Sequence, residues 1–206
     1  MTGPTHRQYS IGFAYIALVI IYSFGLTEIN YYLALPIMLV VSRAGAAFPD
    51  IDHNWQSVAD KTTLNRIVNF IIHITGGRHR SWQTHSIDIC VYYTVASVLV
   101  PKLLLDNECI DKINYQVLLI LLLGFAAGWI SHLFSDMLTS EGVRLICFLK
   151  FKIKLVPKKI GKLRFNTGNE WEAFNYKVVK VLNIFLAIGC LVYPFIINGT
   201  LEKLLN

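Results

Sequence analysis

Charge is scarce in this chain. Only 16% of its 206 residues are Asp, Glu, Lys or Arg, against roughly 25% in an ordinary soluble domain. Disordered segments combine low hydrophobicity with high net charge, so the shortage excludes disorder. Acidic residues are the scarcer sign, 13 against 19 basic, for a net charge of +6. Cysteine is sparse as well. Cys90, Cys109, Cys147 and Cys190 are widely spaced and contain no C-x-x-C pair. Two of them lie in apolar runs, which leaves buried free thiols as the expectation. There is no long-period repeat and no low-complexity segment. No cleavable leader is legible either: only Arg7 precedes the first apolar run and no clear small-x-small site follows it. That run is expected to stay as the first helix.

What the chain has instead is apolar sequence in runs, with a mean hydropathy of +0.50. Residues 11–26 and 181–197 carry no charge, 89–105 carry only Lys102, and 117–134 hold only His132 as a titratable group. A fifth run covers 31–41 and resumes at 44–48 after Ser42 and Arg43. A spanning helix needs about 20 apolar residues, so each run is at or slightly below that length. The expectation is a single all-α domain over residues 1–206, a transmembrane bundle of about five short helices. The alternative is a buried all-helical soluble core. Charge placement favours the membrane. Glu28, Asp106, Glu108 and Asp111 mark two acidic connections, while Arg43, Lys61, Arg66, Arg78 and Arg80 surround a basic one. Residues 144–180 are basic too. By the positive-inside rule the basic connections face the cytoplasm of an inner-membrane protein, with the N-terminus inside and the C-terminus outside. The net positive charge then faces anionic headgroups, and no direct nucleic-acid partner is expected.

Local signals refine this plan. The first helix is expected over about 10–26. Pro36 falls inside the second run, and Pro49 disfavours helical geometry at Phe48, so the second helix should end there. Leu64, Ile67, Val68, Ile71 and Ile72 have helical spacing, predicting a surface helix within 54–75 that Gly76-Gly77 ends. Gly124 and Gly128 form a small-xxx-small pair that permits close helix contact. Residues 150–155 alternate lysine with apolar residues, and a basic β-hairpin with 162–165 is expected on the cytoplasmic surface.

Three polar clusters end the apolar runs: residues 48–53 (FPDIDH), 79–86 (HRSWQTHS) and 131–136 (SHLFSD). His132 and Asp136 are one helical turn apart and share a face, so they can grip one metal ion or give one ligand to each of two neighbouring ions. An ionisable group at a membrane helix end marks a functional site. Asp50 and Asp52 can converge with His53 if the chain turns there. His79 and His85 flank Arg80, which can hold a phosphate or carboxylate oxygen. On the expected topology these clusters and His6, ahead of the first helix, all fall on the cytoplasmic side. His73 is read as structural.

These residues carry a resemblance. F-P-D-I-D-H at 48–53, H-R-x4-H-S at 79–86 and G-x2-S-H-x3-D-M-L-T-x2-G at 128–142 resemble the signature of the YdjM-like (DUF457) family. Those are inner-membrane proteins described as metal-dependent hydrolases and as LexA-binding. His6 matches an early family histidine, and Gly168-Asn169-x2-Glu172 resembles a later family element. Ser81-Trp82-Gln83 and Phe148 depart from the family pattern but spare every candidate ligand. Thr5-His6 with His132-x3-Asp136 is also similar, more faintly, to zinc-dependent phospholipases C.

The expected function is a membrane-bound metal-dependent hydrolase. His6, Asp50, His53, His85, His132 and Asp136 are the candidate ligands of one or two divalent ions, Zn²⁺ above all for such a donor set. Asp52 is the candidate bridging ligand or general base, His79 and Arg80 the catalytic or substrate-binding partners, and Asn169 and Glu172 additional site residues. The expected substrate is a lipid or other small molecule with a phosphate or acyl ester. The alternative is a non-catalytic membrane protein whose metal is a structural staple and whose basic surface binds lipid or a cytosolic protein. Ion transport is disfavoured, because no polar cluster lies at mid-helix.

Overall fold

The computed structural model of the protein describes residues 2–52, 63–77, 80, 82–149, 151–156 and 168–197. Six helices dominate these residues: α1 (Gly3–Ser23), α2 (Tyr31–Ala47), α3 (Thr63–Ile74), α4 (Ile87–Asp106), α5 (Lys112–Met137) and α6 (Glu170–Ile197). A short 3₁₀ turn, Pro49–Asp52, continues from α2. The all-helical membrane architecture expected from the runs is what the chain adopts. Four segments are long and apolar enough to cross a membrane: Tyr31–Asp52, Ile87–Asp106, Lys112–Met137 and Glu170–Ile197. The expected fifth, α1, is not among them; it has 21 residues, but its first third is polar.

Helix boundaries follow caps more than apolar runs. Asn30 caps α2 by accepting the Tyr32 N–H at 2.9 Å, and Asp111 caps α5 by accepting the Asn114 N–H at 2.7 Å. Pro4 stands in the first turn of α1, where its missing N–H costs nothing. Hence α1 starts at Gly3 and not near Ser10, α5 starts five residues ahead of its apolar run, and α6 starts eleven ahead. Phe48 keeps helical backbone angles (φ −60°, ψ −44°) despite Pro49, so the chain tightens into the 3₁₀ turn without an extended break.

α5 is the central helix, packed against α1, α2 and α4, with its most extensive contact on α2. That contact depends on small residues. A Cβ on Gly128 would lie 1.9 Å from the Ser42 carbonyl oxygen, and one on Gly45 would lie 2.1 Å from that of Phe125. The Gly124/Gly128 pair is thus the surface on which α2 rests. Leu18, Ile21, Ala34, Met38 and Ile120 form the apolar core at the end of the bundle remote from the polar clusters. Trp129, Leu133, Cys90 and Val143 form a second core beneath those clusters.

The expected basic hairpin takes a different form. Lys152–Ile153 does form a strand, but its partner is Val143–Arg144, in the antiparallel register Val143↔Ile153 and Arg144↔Lys152. Residues 162–165 lie outside the described residues. The reason is local: Gly142 turns at φ +68° and sets Val143, which is buried, against the strand. Arg144 also forms a parallel bridge to Ser86, which ties this ribbon to the loop before α4.

Candidate metal centre

Polar side chains from α1, the 3₁₀ turn, the loop before α4 and the last turns of α5 meet at one place. His132 and Asp136 come from α5, one turn apart, and are 0% and 1% exposed. His6 reaches them from the second turn of α1. Its ring stacks on that of His132, with centroids 3.8 Å apart and planes within 9°. His85 comes from the loop and meets His132 edge-on at 5.3 Å. Asp50, on the 3₁₀ turn, brings a half-open carboxylate to 3.8 Å from His132 Nε2.

The three imidazoles are oriented alike. Their Nε2 atoms face one carboxylate: His6 lies 3.6 Å from Asp136 Oδ1, while His132 and His85 lie 3.6 and 3.8 Å from Oδ2. Their Nδ1 atoms face outward to fixed partners, and those partners decide the tautomers. His132 Nδ1 is 2.7 Å from the Ala46 carbonyl, which can only accept, so Nδ1 carries the proton. The Ser135 hydroxyl donates to the His132 carbonyl at 2.9 Å and therefore accepts from His6 Nδ1 at 2.6 Å. Thr84 Oγ1 donates to Asp52 Oδ2 at 2.6 Å and accepts from His85 Nδ1 at 2.9 Å. In the neutral rings this leaves Nε2 lone pairs turned toward a buried carboxylate. Lone pair against anion is repulsive unless a proton or a cation stands between them. His132 Nε2 is fully buried and has no hydrogen-bond partner among the described residues, which fits a ligand atom. Burial pulls the His85 imidazole below its ordinary range, against the opposing influence of Asp52, and so favours the neutral form that ligation needs.

Two groups of donors could hold an ion: His6, His132 and Asp136, and Asp50, His85 and His132. Within each, the donor atoms lie within 4.8 Å of one another. Both use His132, whose one inward lone pair serves a single ion.

The other candidates fall around this centre. Asp52 is fully buried on the outer side of His85, with its Oδ2 3.4 Å from Nδ1. Arg80 brings Nη2 to 3.7 Å from Asp136 Oδ2 and Nη1 to 2.7 Å from Glu141 Oε2. Glu172 belongs to neither donor group. Its carboxylate accepts the Thr2 N–H and hydroxyl and the Gly168 N–H, the latter two at 2.8 and 2.7 Å, and so ties the start of α1 to α6. Asn169 caps the Glu172 N–H at 2.8 Å. His53 and His79 lie outside the described residues. Sequence reading did not single out Thr84, Ser135, the Ala46 carbonyl or Glu141. The two hydroxyls were visible as neighbours of His85 and His132 within the polar clusters. The carbonyl and Glu141 had no local signal, because their roles arise from chain segments remote in sequence.

Comparison with known proteins agrees with this picture. No curated protein and no solved structure matches the chain significantly. A family model does, that of the YdjM inner membrane protein, over residues 1–199. The chain is therefore a membrane protein with buried His/Asp groups that could hold a metal ion, and it belongs to the YdjM inner membrane protein family.

Proposed function

We propose that the protein is a multi-pass inner-membrane hydrolase, N-terminus inside, that works with a divalent ion held by His6, His132 and Asp136. The observation that carries this reading is the shared orientation of three imidazoles, with every Nδ1 engaged outward and every Nε2 turned toward Asp136. Zn²⁺ suits the mixture of imidazole and carboxylate. The Nε2 atoms of His6 and His132 lie 3.6 Å from Asp136 Oδ1 and Oδ2 respectively, within the reach of donors that share one ion. Such an ion, when bound, lowers the pKa of water to about 7 and polarises an ester oxygen.

The chain's own groups supply the rest. Asp50 is the most open carboxylate of the set, 31% exposed, and is placed to take a proton from water at the mouth. Asp52 acts through Thr84 to hold the proton of His85 on Nδ1. Arg80 offsets the charge of Asp136. The substrate is a lipid or other amphiphile with an ester near the cytoplasmic headgroups, a placement supported by the basic connections flanking the site. A closed structural staple is the second reading, favoured by the near-complete burial of His6, His132 and Asp136. Phosphate-ester and acyl-ester lipids presented to zinc-loaded protein in proteoliposomes separate the two. Turnover that Asp50→Asn abolishes while zinc is retained supports the hydrolase. Retained zinc with no turnover on either ester supports the staple.

A further inference from the structure

We propose that Arg80 and Glu141 form an anion latch at the mouth of the centre, in which Glu141 holds the place of a substrate phosphate. The assignment of a phosphoester as substrate class rests on the hydrolase reading. The Arg80 side chain is 15% exposed and that of Glu141 is 60% exposed, with 2.7 Å between Nη1 and Oε2. Short as this ion pair is, Nη1 is buried and makes no aligned hydrogen bond among the described residues. Glu141 thus neutralises the guanidinium without the aligned bond that a guanidinium fork makes to a matching anion. Arg80 also sits in the left-handed backbone region, at φ 59°, where a non-glycine residue is strained and commonly functional.

The other edge of the guanidinium faces the centre. Nη2 is 3.7 Å from Asp136 Oδ2, the oxygen that also faces His132 and His85. An anion on Arg80 therefore lies beside the donor set. Glu141 can leave without disturbing the fold. Its backbone is fixed by the Gly142 turn, where a Cβ would lie 2.4 Å from the Ile153 carbonyl oxygen, while its side chain is open to solvent. A phosphate offers several acceptor oxygens to the fork and a negative charge to exchange for that of Glu141. An acyl ester is neutral and offers no such exchange, so the latch selects phosphoesters.

Free phosphate and a phospholipid headgroup share this chemistry, so both serve as probes. Calorimetric titration of the intact, detergent-solubilised protein with inorganic phosphate and with dihexanoyl phosphatidic acid tests the proposal, before and after zinc loading. Glu141→Gln should tighten binding about tenfold, and Arg80→Gln introduced with it should remove that gain. Arg80→Lys, which keeps the charge but loses the fork, should remove most of it and serves if Arg80→Gln fails to fold. A gain with both probes, or with the lipid probe alone, supports the latch, and the second result assigns the anion to a headgroup. Unchanged affinity for both probes, or a gain that survives loss of Arg80, overturns it. Zinc analysis of each sample separates the two readings. A gain in protein that never holds zinc leaves the latch standing without the hydrolase, and zinc without a gain removes the latch alone.

Discussion

Replacing Gly128 with alanine should damage the proposed metal centre without touching a candidate ligand. The added Cβ would stand 1.9 Å from the Ser42 carbonyl oxygen and 2.8 Å from the Ala46 nitrogen. A carbon next to a backbone oxygen needs at least about 3 Å, so α2 must retreat from α5 by about 1 Å. Neither atom belongs to a flexible side chain that could turn aside. The retreating turn carries the Ala46 carbonyl, which fixes the tautomer of His132 at 2.7 Å. Overpacking of this kind costs about 1–3 kcal/mol of stability, and loss of a ligand's outer hydrogen bond lowers metal affinity roughly 10–100-fold. Thermal unfolding in detergent reads the first effect, and competition with a fluorescent zinc chelator reads the second. Gly189→Ala, on α6 with no atom within 4 Å of the new Cβ, is the control and should leave both unchanged. A Gly128→Ala protein with wild-type zinc affinity would refute the link between helix packing and the centre.

Three further outcomes follow from the same geometry. Thr84→Val keeps the side-chain shape but breaks the hydroxyl path from Asp52 to His85; zinc affinity should fall about tenfold in the same chelator assay, and no change would remove the Thr84 hydroxyl from the support of His85. Glu172→Ala should free the start of α1, because the carboxylate holds both the Thr2 N–H and its hydroxyl; hydrogen exchange over residues 2–8 should quicken while zinc affinity drops less than in His6→Ala, and an equal drop would make Glu172 a ligand. The ridge of Ile67, Phe70, Ile71 and Ile74 on α3 is exposed, whereas Ile72 packs on Ile51 and Asn69 donates to the Ile51 carbonyl; α3 is expected to lie in the interface plane, so a spin label at Phe70 in nanodiscs should be relaxed by oxygen more than by a water-soluble nickel chelate, and the reverse would place α3 in water.

The apolar runs located the bundle because a membrane helix must be apolar over its lipid-facing length. They did not locate its ends. Residues 3–10 are helical but polar and 170–180 are helical but carry four charges, since both extend past the apolar stretch and are set by Pro4 and Asn169. This is why His6 reads as preceding a helix when it is part of one. His132 and Asp136 were legible because one turn of helix separates them. His6 and His85 were legible only as residue types in polar clusters, and their convergence depends on packing that no local pattern encodes. The roles of Asp52 and Glu172 were the least legible. A carboxylate next to candidate ligands looks like a ligand in sequence, whereas in the fold Asp52 addresses the outer nitrogen of His85 and Glu172 secures the chain before His6. The strand at Lys152–Ile153 was legible from its alternation, but its partner was not, because Val143–Arg144 is too short to show a period.

In the proposed site His6, His132 and Asp136 hold the ion, and His85 turns its Nε2 toward the same carboxylate. Zinc K-edge absorption spectroscopy combined with elemental analysis, on wild type and His132→Ala, puts this to the test. Wild type should hold one zinc per chain, with scattering from at least two imidazoles and a carboxylate oxygen, and His132→Ala should lose the ion. Wild-type protein that takes up no stoichiometric metal after reconstitution, or a His132→Ala protein that keeps its full complement, would contradict it.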